Sequence, residues 1–234
     1  MKISRFNRKD FSILKAKHTA LYILLIYCFV QLSGAFFYAP LYHFIEANHH
    51  DLTKAELTSY AKGWYIFISM GVGVLLSALV ILRDRAFLKT APQLPIGRSI
   101  IWGVAGFILL LIGQNVGNAI ERMLGITTAS TNTSNLIAIS EIAPILIIAT
   151  VLFAPILEEL IFRRIVFSWL QTKMNIWFAA CISALFFALM HNDFDHLLIY
   201  WIMGMILAFL YKKTGRILTP IVAHILLNSL VIFS

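Results

Sequence analysis

What most restricts this chain is a succession of apolar runs long enough to matter to a lipid bilayer. They fall at about 20–38, 64–82, 99–120, 136–171, 176–190, 197–211 and 217–233. Roughly 20 consecutive apolar residues cross a hydrocarbon core as a helix. With 60% hydrophobic and only 13% charged residues among 234, the composition lies outside the usual range of soluble domains. The expectation is an all-α integral membrane protein with about seven transmembrane helices.

The formal net charge is +8, and the positive residues collect in short polar segments between the runs. That distribution fits orientation in a membrane rather than nucleic-acid binding, for which no motif is present. The first run has no small-residue cleavage site and reads as a retained helix, with Lys2, Arg5, Arg8, Lys9, Lys15 and Lys17 holding the N-terminus in the cytoplasm. With seven passes the basic groups at Arg83, Arg85, Lys89 and Arg98, at Lys173, and at Lys212, Lys213 and Arg216 fall on that same side. The run at 136–171 would be roughly 50 Å long as one helix, against a core of roughly 30 Å. Pro144 and Pro155 are expected to bend it. Splitting it into two spans gives eight passes and puts the 212–216 segment outside, so one bent element is preferred. The polar stretch Glu121 to Ser134 reads as an external loop, with a weak glycosylation triplet at Asn132-Thr133-Ser134. Cys28 and Cys181 read as small buried hydrophobes.

Charges inside such runs are costly and rare, so those that occur call for partners or a task. The stretch APILEELIFRR, residues 154–164, holds four. On a helix Glu159 and Arg163 share a face at i and i+4 and can pair, while Glu158 lies about 100° round and is left available. His191 closes the apolar 176–190 run, four residues after Phe187. His224 and Asn228 share one face of the last run. Each group alone could be a packing device: an ion pair between helices, a polar helix tip, an interhelical hydrogen bond. Asn192, Asp193, Asp195 and His196 look like a metal-ligand cluster or equally like a solvated loop, and they are left outside the site. Together the three constellations supply a base, two imidazoles and an amide donor, a set suited to activating water and stabilising an oxyanion.

Those blocks resemble the EExxxR, FxxxH and HxxxN motifs of the CPBP intramembrane proteases, the CAAX-protease and bacteriocin-processing or Abi family. The resemblance covers roughly residues 140–232, with Gly204, Tyr211 and Thr214-Gly215 also in the family's style, and it departs at Arg164, where relatives often have glycine. It implies a helical core around an intramembrane cavity, with Glu158 and His191 activating water, His224 and Asn228 binding the oxyanion, and Glu159 and Arg163 in support. Glu158, His191 and His224 would be the ligands if a zinc ion took part; no HExxH is present, which leaves the metal open.

The chain then divides into a basic cytoplasmic N-terminus at 1–18, accessory transmembrane helices at 19–135 and a catalytic core at 136–234. The expected function is cleavage of a small membrane-associated peptide or protein precursor in a bacterial cell membrane. A non-catalytic bacteriocin-immunity factor or regulatory membrane partner is the alternative, and a proton-coupled transporter is disfavoured because no inverted repeat is evident. Counting at ~1.5 Å per residue from the cytoplasmic ends puts Glu158 and His191 at roughly 22 to 24 Å depth but His224 at about 10 Å, a gap that bending or tilt has to close.

Overall fold

The computed structural model describes residues 8–89 and 92–233, with side chains from residue 16 onward, and among these residues there are helices and no strands. Lys2 and Arg5, and the side chains of Arg8, Lys9 and Lys15, on which the cytoplasmic N-terminus was read, lie outside the described residues.

Helix α1 (Arg8–Leu32) ends where the Ser33 hydroxyl donates to the Val30 carbonyl and meets the Tyr65 hydroxyl at 2.7 Å. Helix α2 (Gly34–Glu46) leaves at an angle of 49°. Helix α3 (Lys54–Arg83) begins with a capping box: Thr53 accepts from the Glu56 amide, and the Glu56 carboxylate accepts from the Thr53 amide. A 3₁₀ turn (Arg85–Leu88) and helix α4 (Ile96–Met123) follow, then α5 (Thr131–Ile142), capped by Ser130.

The run expected to form one bent element is broken at 143–145. Ala143, just before Pro144, leaves the helical region at φ −126°, ψ 79°, as the proline ring requires of the residue preceding it. Helix α6 then covers 146–170 and is not uniform. It contains two π-helical segments, Ala149–Phe153 and Leu160–Phe167, on either side of the α-turns of Ala154–Glu159. Pro155 sits at the start of that central part, inside the longer helix, where its missing N–H removes one backbone hydrogen bond. Helices α7 (Ile176–Leu189), α8 (Leu197–Thr214) and α9 (Leu218–Phe233) complete the fold. Gly215, at φ 63°, ends α8 in the left-handed conformation that glycine adopts without strain.

The interior is built by close backbone approach. On α4, a methyl group added at Gly106 would lie 2.4 Å from Leu210 of α8 and one at Gly113 2.5 Å from Ile206, so small residues on that face let α8 and α9 settle against it. Gly204 does the same between α8 and α7: a side chain there would meet the Ala184 backbone at 2.8 Å. Leu110, Phe162, Phe187, Leu207 and Leu227 fill the space between these helices.

The outside is apolar too. Leu75, Leu79 and Leu82 of α3 and Ile101, Ile108 and Ile112 of α4 face outward, an arrangement that lipid stabilises and water would not. Among the described residues α3, α4 and α8 are each long and apolar enough to cross a membrane, and the bent pair α1–α2 makes a fourth if it acts as one span; α7 and α9 are shorter apolar helices. Cys28 is exposed and Cys181 half-buried. An apolar position in such a protein can be met by lipid, so neither cysteine had to enter the protein core.

Candidate active site

The second π-helical segment begins immediately after Glu159, and from there outward the site assembles. Glu159 is fully buried. One carboxylate oxygen faces Arg163 Nε at 3.1 Å and the other accepts from His224 Nδ1 at 3.0 Å. The Arg163 contact is an ion pair without hydrogen-bond alignment. The guanidinium, itself fully buried, also donates to the Gly204 carbonyl at 3.3 Å and lies over the Phe187 ring at 4.4 Å. Glu159 and Arg163 meet as their spacing predicts; the spacing said nothing of His224, so Glu159 has the further role of fixing that imidazole. A buried carboxylate on Nδ1 sets the ring's orientation and turns Nε2 the other way.

His224 Nε2 faces Glu158 Oε2 at 3.8 Å, and the Glu158 carboxylate is partly open where Glu159 is closed. His191 donates from Nδ1 to the Phe187 carbonyl at 2.9 Å, because a carbonyl can only accept, and the neutral ring then carries its lone pair on Nε2. Phe187 packs against both histidines, with centroids 4.7 Å from His191 and 5.8 Å from His224. Asn192, directly after His191 in the turn that follows α7, adopts φ 51°, a left-handed conformation that asparagine tolerates.

Asn228 reaches into α6. In the π-helical turn the Thr150 carbonyl would look to residue 155 for its i+5 partner, and Pro155 has no N–H; the Asn228 amide donates to it instead, at 3.0 Å. One of the two amide hydrogens is thereby used and the second remains for the cavity. Glu158, His191, His224 and Asn228 all line a single cavity of ≈ 790 Å³. The depth gap between His224 and Glu158 is closed by contact between α9 and the 149–159 part of α6.

The other wall of the cavity comes from a part of the sequence read as an external loop. Glu121, Thr127, Ser130 and Asn132 line it, and with them His196 and Tyr200. Glu121 is buried; it accepts from His196 Nδ1 at 2.7 Å and from the Ile199 amide in the first turn of α8. Burial alone would lower the His196 pKa, but the hydrogen bond and charge of Glu121, with the charge of Asp193, raise it overall. Asp193 is buried as well and accepts from Ser130 at 2.6 Å. These residues lay outside the predicted site. Their signal in the sequence was a glutamate ending one apolar run and a histidine opening another, 75 residues later, with nothing local to join them. Asn132 of the glycosylation triplet donates from its side chain to the Tyr200 hydroxyl, so a glycan there would have to break this contact. Arg164, the position that departs from the resemblance, hydrogen-bonds the Phe87 carbonyl and stacks on the Phe87 ring, which ties α6 to the 3₁₀ turn.

Glu158, His191 and His224 would be the ligands if a zinc ion took part. Two of them carry the outer partners usual for metal-bound histidine, a carbonyl and a carboxylate. Yet among the described residues no three histidine, cysteine or acidic side chains are disposed as a ligand set.

A family model described as type II CAAX prenyl endopeptidase Rce1-like matches residues 140–230. "Putative membrane peptidase YdiL" of Bacillus subtilis (strain 168) is 36% identical over 214 residues, covering 90% of this chain and 86% of its own. "Membrane-embedded CAAX protease MroQ" of Staphylococcus aureus (strain USA300) is 31% identical over 196 residues, covering 81% of this chain and 78% of its own. No solved structure matches the chain. Both likenesses run well beyond 140–230 into the helices before the motifs, and with the three motif blocks gathered on one cavity, the chain belongs to the Rce1-like family of CAAX-type membrane proteases.

Proposed function

We propose that the protein is an intramembrane endopeptidase that hydrolyses a peptide bond in a small membrane-associated peptide or protein precursor, using water activated by Glu158 and His191. The observation that carries this reading is the shared cavity: an open carboxylate, an imidazole whose Nδ1 is anchored and whose Nε2 carries the lone pair, and a fixed His224 with Asn228 all line it. A water there donates one hydrogen to Glu158 and the other to His191 Nε2, which aims its lone pair at a substrate carbonyl. As the oxygen–carbon bond forms, Glu158 takes the proton, and His224 Nε2–H and the spare Asn228 N–H meet the oxyanion. Breaking the carbon–nitrogen bond returns the proton to the leaving amine. His224 must carry protons on both nitrogens to donate, a form that has Glu159 on one side and Glu158 on the other. Glu159 and Arg163 hold this arrangement and do not touch substrate.

The apolar exterior supports residence in the bilayer of a bacterial cell membrane, and the basic segments support multiple passes with a cytoplasmic N-terminus. The same exterior supports a membrane-associated substrate, a peptide that reaches the cavity from lipid or from the membrane surface.

The competing reading, an immunity or regulatory partner that binds another membrane protein, separates on His224→Ala combined with Asn228→Ala in the native host. Each oxyanion donor is worth roughly 3 to 4 kcal/mol where such donors have been removed, so a peptide precursor should accumulate uncut while membrane abundance, measured in parallel, stays normal. A full host phenotype at normal abundance would favour the partner, whose outer surfaces the double substitution leaves intact.

A further inference from the structure

Tyr200 has no place in the mechanism above, yet its ring stacks on His191 at 4.0 Å with 23° between the planes. With Phe187 on another side, the imidazole is boxed in by two aromatic rings and anchored at Nδ1 by the Phe187 carbonyl. The Tyr200 hydroxyl points the other way, into the segment that crosses the cavity rim. Ser130 Oγ gives its only hydrogen to Asp193 at 2.6 Å, so in its 3.2 Å contact with Tyr200 it must accept; Tyr200 in turn accepts from the Asn132 side chain at 3.3 Å. The hydrogen bonds therefore run in one direction, Asn132 to Tyr200 to Ser130 to Asp193, and such chains strengthen one another out of water. The Asn132 amide closes the loop on Asp193 at 3.3 Å. Tyr200 and Asp193 are both buried, while Thr127, Thr128 and Ala129, on the same segment and also lining the cavity, are exposed. The segment starts at Gly125, whose φ of 88° suits a residue on which a chain can turn.

We propose that Tyr200 is a positioning residue for His191, and that its hydrogen bonds to Ser130 and Asn132 make the seating of the 124–134 strap over the cavity a condition of that positioning. The proposal rests on the protease reading for its effect on turnover, but not for its effect on the imidazole. Substrate entering past the strap would loosen His191, and reseating the strap would restore its aim at the water. Proton transfer depends on placement at this scale, where a displacement of about 1 Å can cost up to about 10²-fold.

The test is ¹⁵N-histidine-labelled full-length protein in lipid nanodiscs, with the His191 ring signals read beside peptide cleavage. The wild type should show His191 in one tautomer, protonated at Nδ1. Tyr200→Leu, which removes ring and hydroxyl, should mix the tautomers and lower kcat about tenfold. Tyr200→Phe keeps the stacked ring and should fall between the two. Ser130→Gly touches nothing on His191, and glycine is tolerated at a helix N-cap; it should move the His191 signals and kcat as Tyr200→Phe does. Unchanged His191 signals in Tyr200→Leu would overturn the positioning role, and wild-type signals in Ser130→Gly would overturn the coupling to the strap. Should Tyr200→Leu fail to accumulate, Tyr200→Phe and Ser130→Gly decide both points. A wild type that cleaves nothing while these spectra shift as expected would remove the protease reading and leave the positioning role standing.

Discussion

Two buried glutamate–histidine pairs face one cavity, and they are built alike. Glu159 holds His224 by Nδ1 at 3.0 Å, and Glu121 holds His196 by Nδ1 at 2.7 Å. The difference lies at the other nitrogen. His224 Nε2 turns to the open carboxylate of Glu158, with His191 and Asn228 on the same cavity, whereas the remaining polar neighbour of the buried His196 is the Ala129 backbone, with no second carboxylate at ion-pair distance among the described residues. A carboxylate that orients an imidazole is thus a general device for seating a histidine among helices, and chemistry requires a second, accessible acid–base group facing the ring. The inner pair has one. The outer pair instead joins the end of α4 to the start of α8 and closes the cavity from the far side.

The largest effect that would sharpen this contrast is on His191. His191→Ala should reduce cleavage by about 10²-fold or more, the range of a general acid–base group, with normal amounts of protein in the membrane, since its one side-chain hydrogen bond is to the last turn of the adjoining α7. Cleavage within tenfold of wild type would remove His191 from the water. Glu159→Gln comes next and should act on folding. It strands a buried guanidinium, and breaking a buried pair costs about 3–5 kcal/mol out of a stability of about 5–15 kcal/mol. Membrane abundance should fall several-fold; unchanged abundance would contradict the role of the pair in folding and, with cleavage lost, would leave Glu159 acting through the seating of His224. The smallest effect belongs to the outer pair. The folded His196 pKa is raised above its usual ~6.5, so its contribution is fully present below about pH 6.5 and is lost as pH rises through the folded value. The difference in thermal midpoint between wild type and Glu121→Gln should be larger near pH 6 than near pH 9; a difference that grows with pH would reverse the assignment of charge.

How much of this could be read in the sequence divides along the same line. Glu159 with Arg163 and His224 with Asn228 are i, i+4 neighbours, and a helix puts such residues on one face whatever surrounds it. The meeting of Glu159 with His224 was invisible, because it spans 65 residues and depends on two π-helical segments whose geometry no periodicity announces. Proline marked the break at 143–145 but not its consequence, two helices in place of one bent element. The outer wall was hidden for a related reason. Ser130 and Asn132 are polar as a solvated loop is polar, and only the tertiary fold shows that Asp193 and Tyr200 take up their hydrogen bonds. Apolar runs announced the helices themselves to within a few residues at α4, α7, α8 and α9, since each run must be covered by protein or lipid along its length; at α3 the run at 64–82 marked the end but missed the first ten residues, Lys54 to Gly63, which are more polar.

We propose that peptide cleavage belongs to the inner pair and its open glutamate. The direct measurement is the cleavage rate of one membrane-associated peptide precursor by wild type, Glu158→Gln and Glu121→Gln, each reconstituted in vesicles at equal folded amount. Glu158→Gln keeps size and hydrogen bonding but removes the base, and its rate should fall by at least about 10²-fold, while Glu121→Gln should stay within a few-fold of wild type. Comparable loss in both, or full activity in Glu158→Gln, would contradict the account.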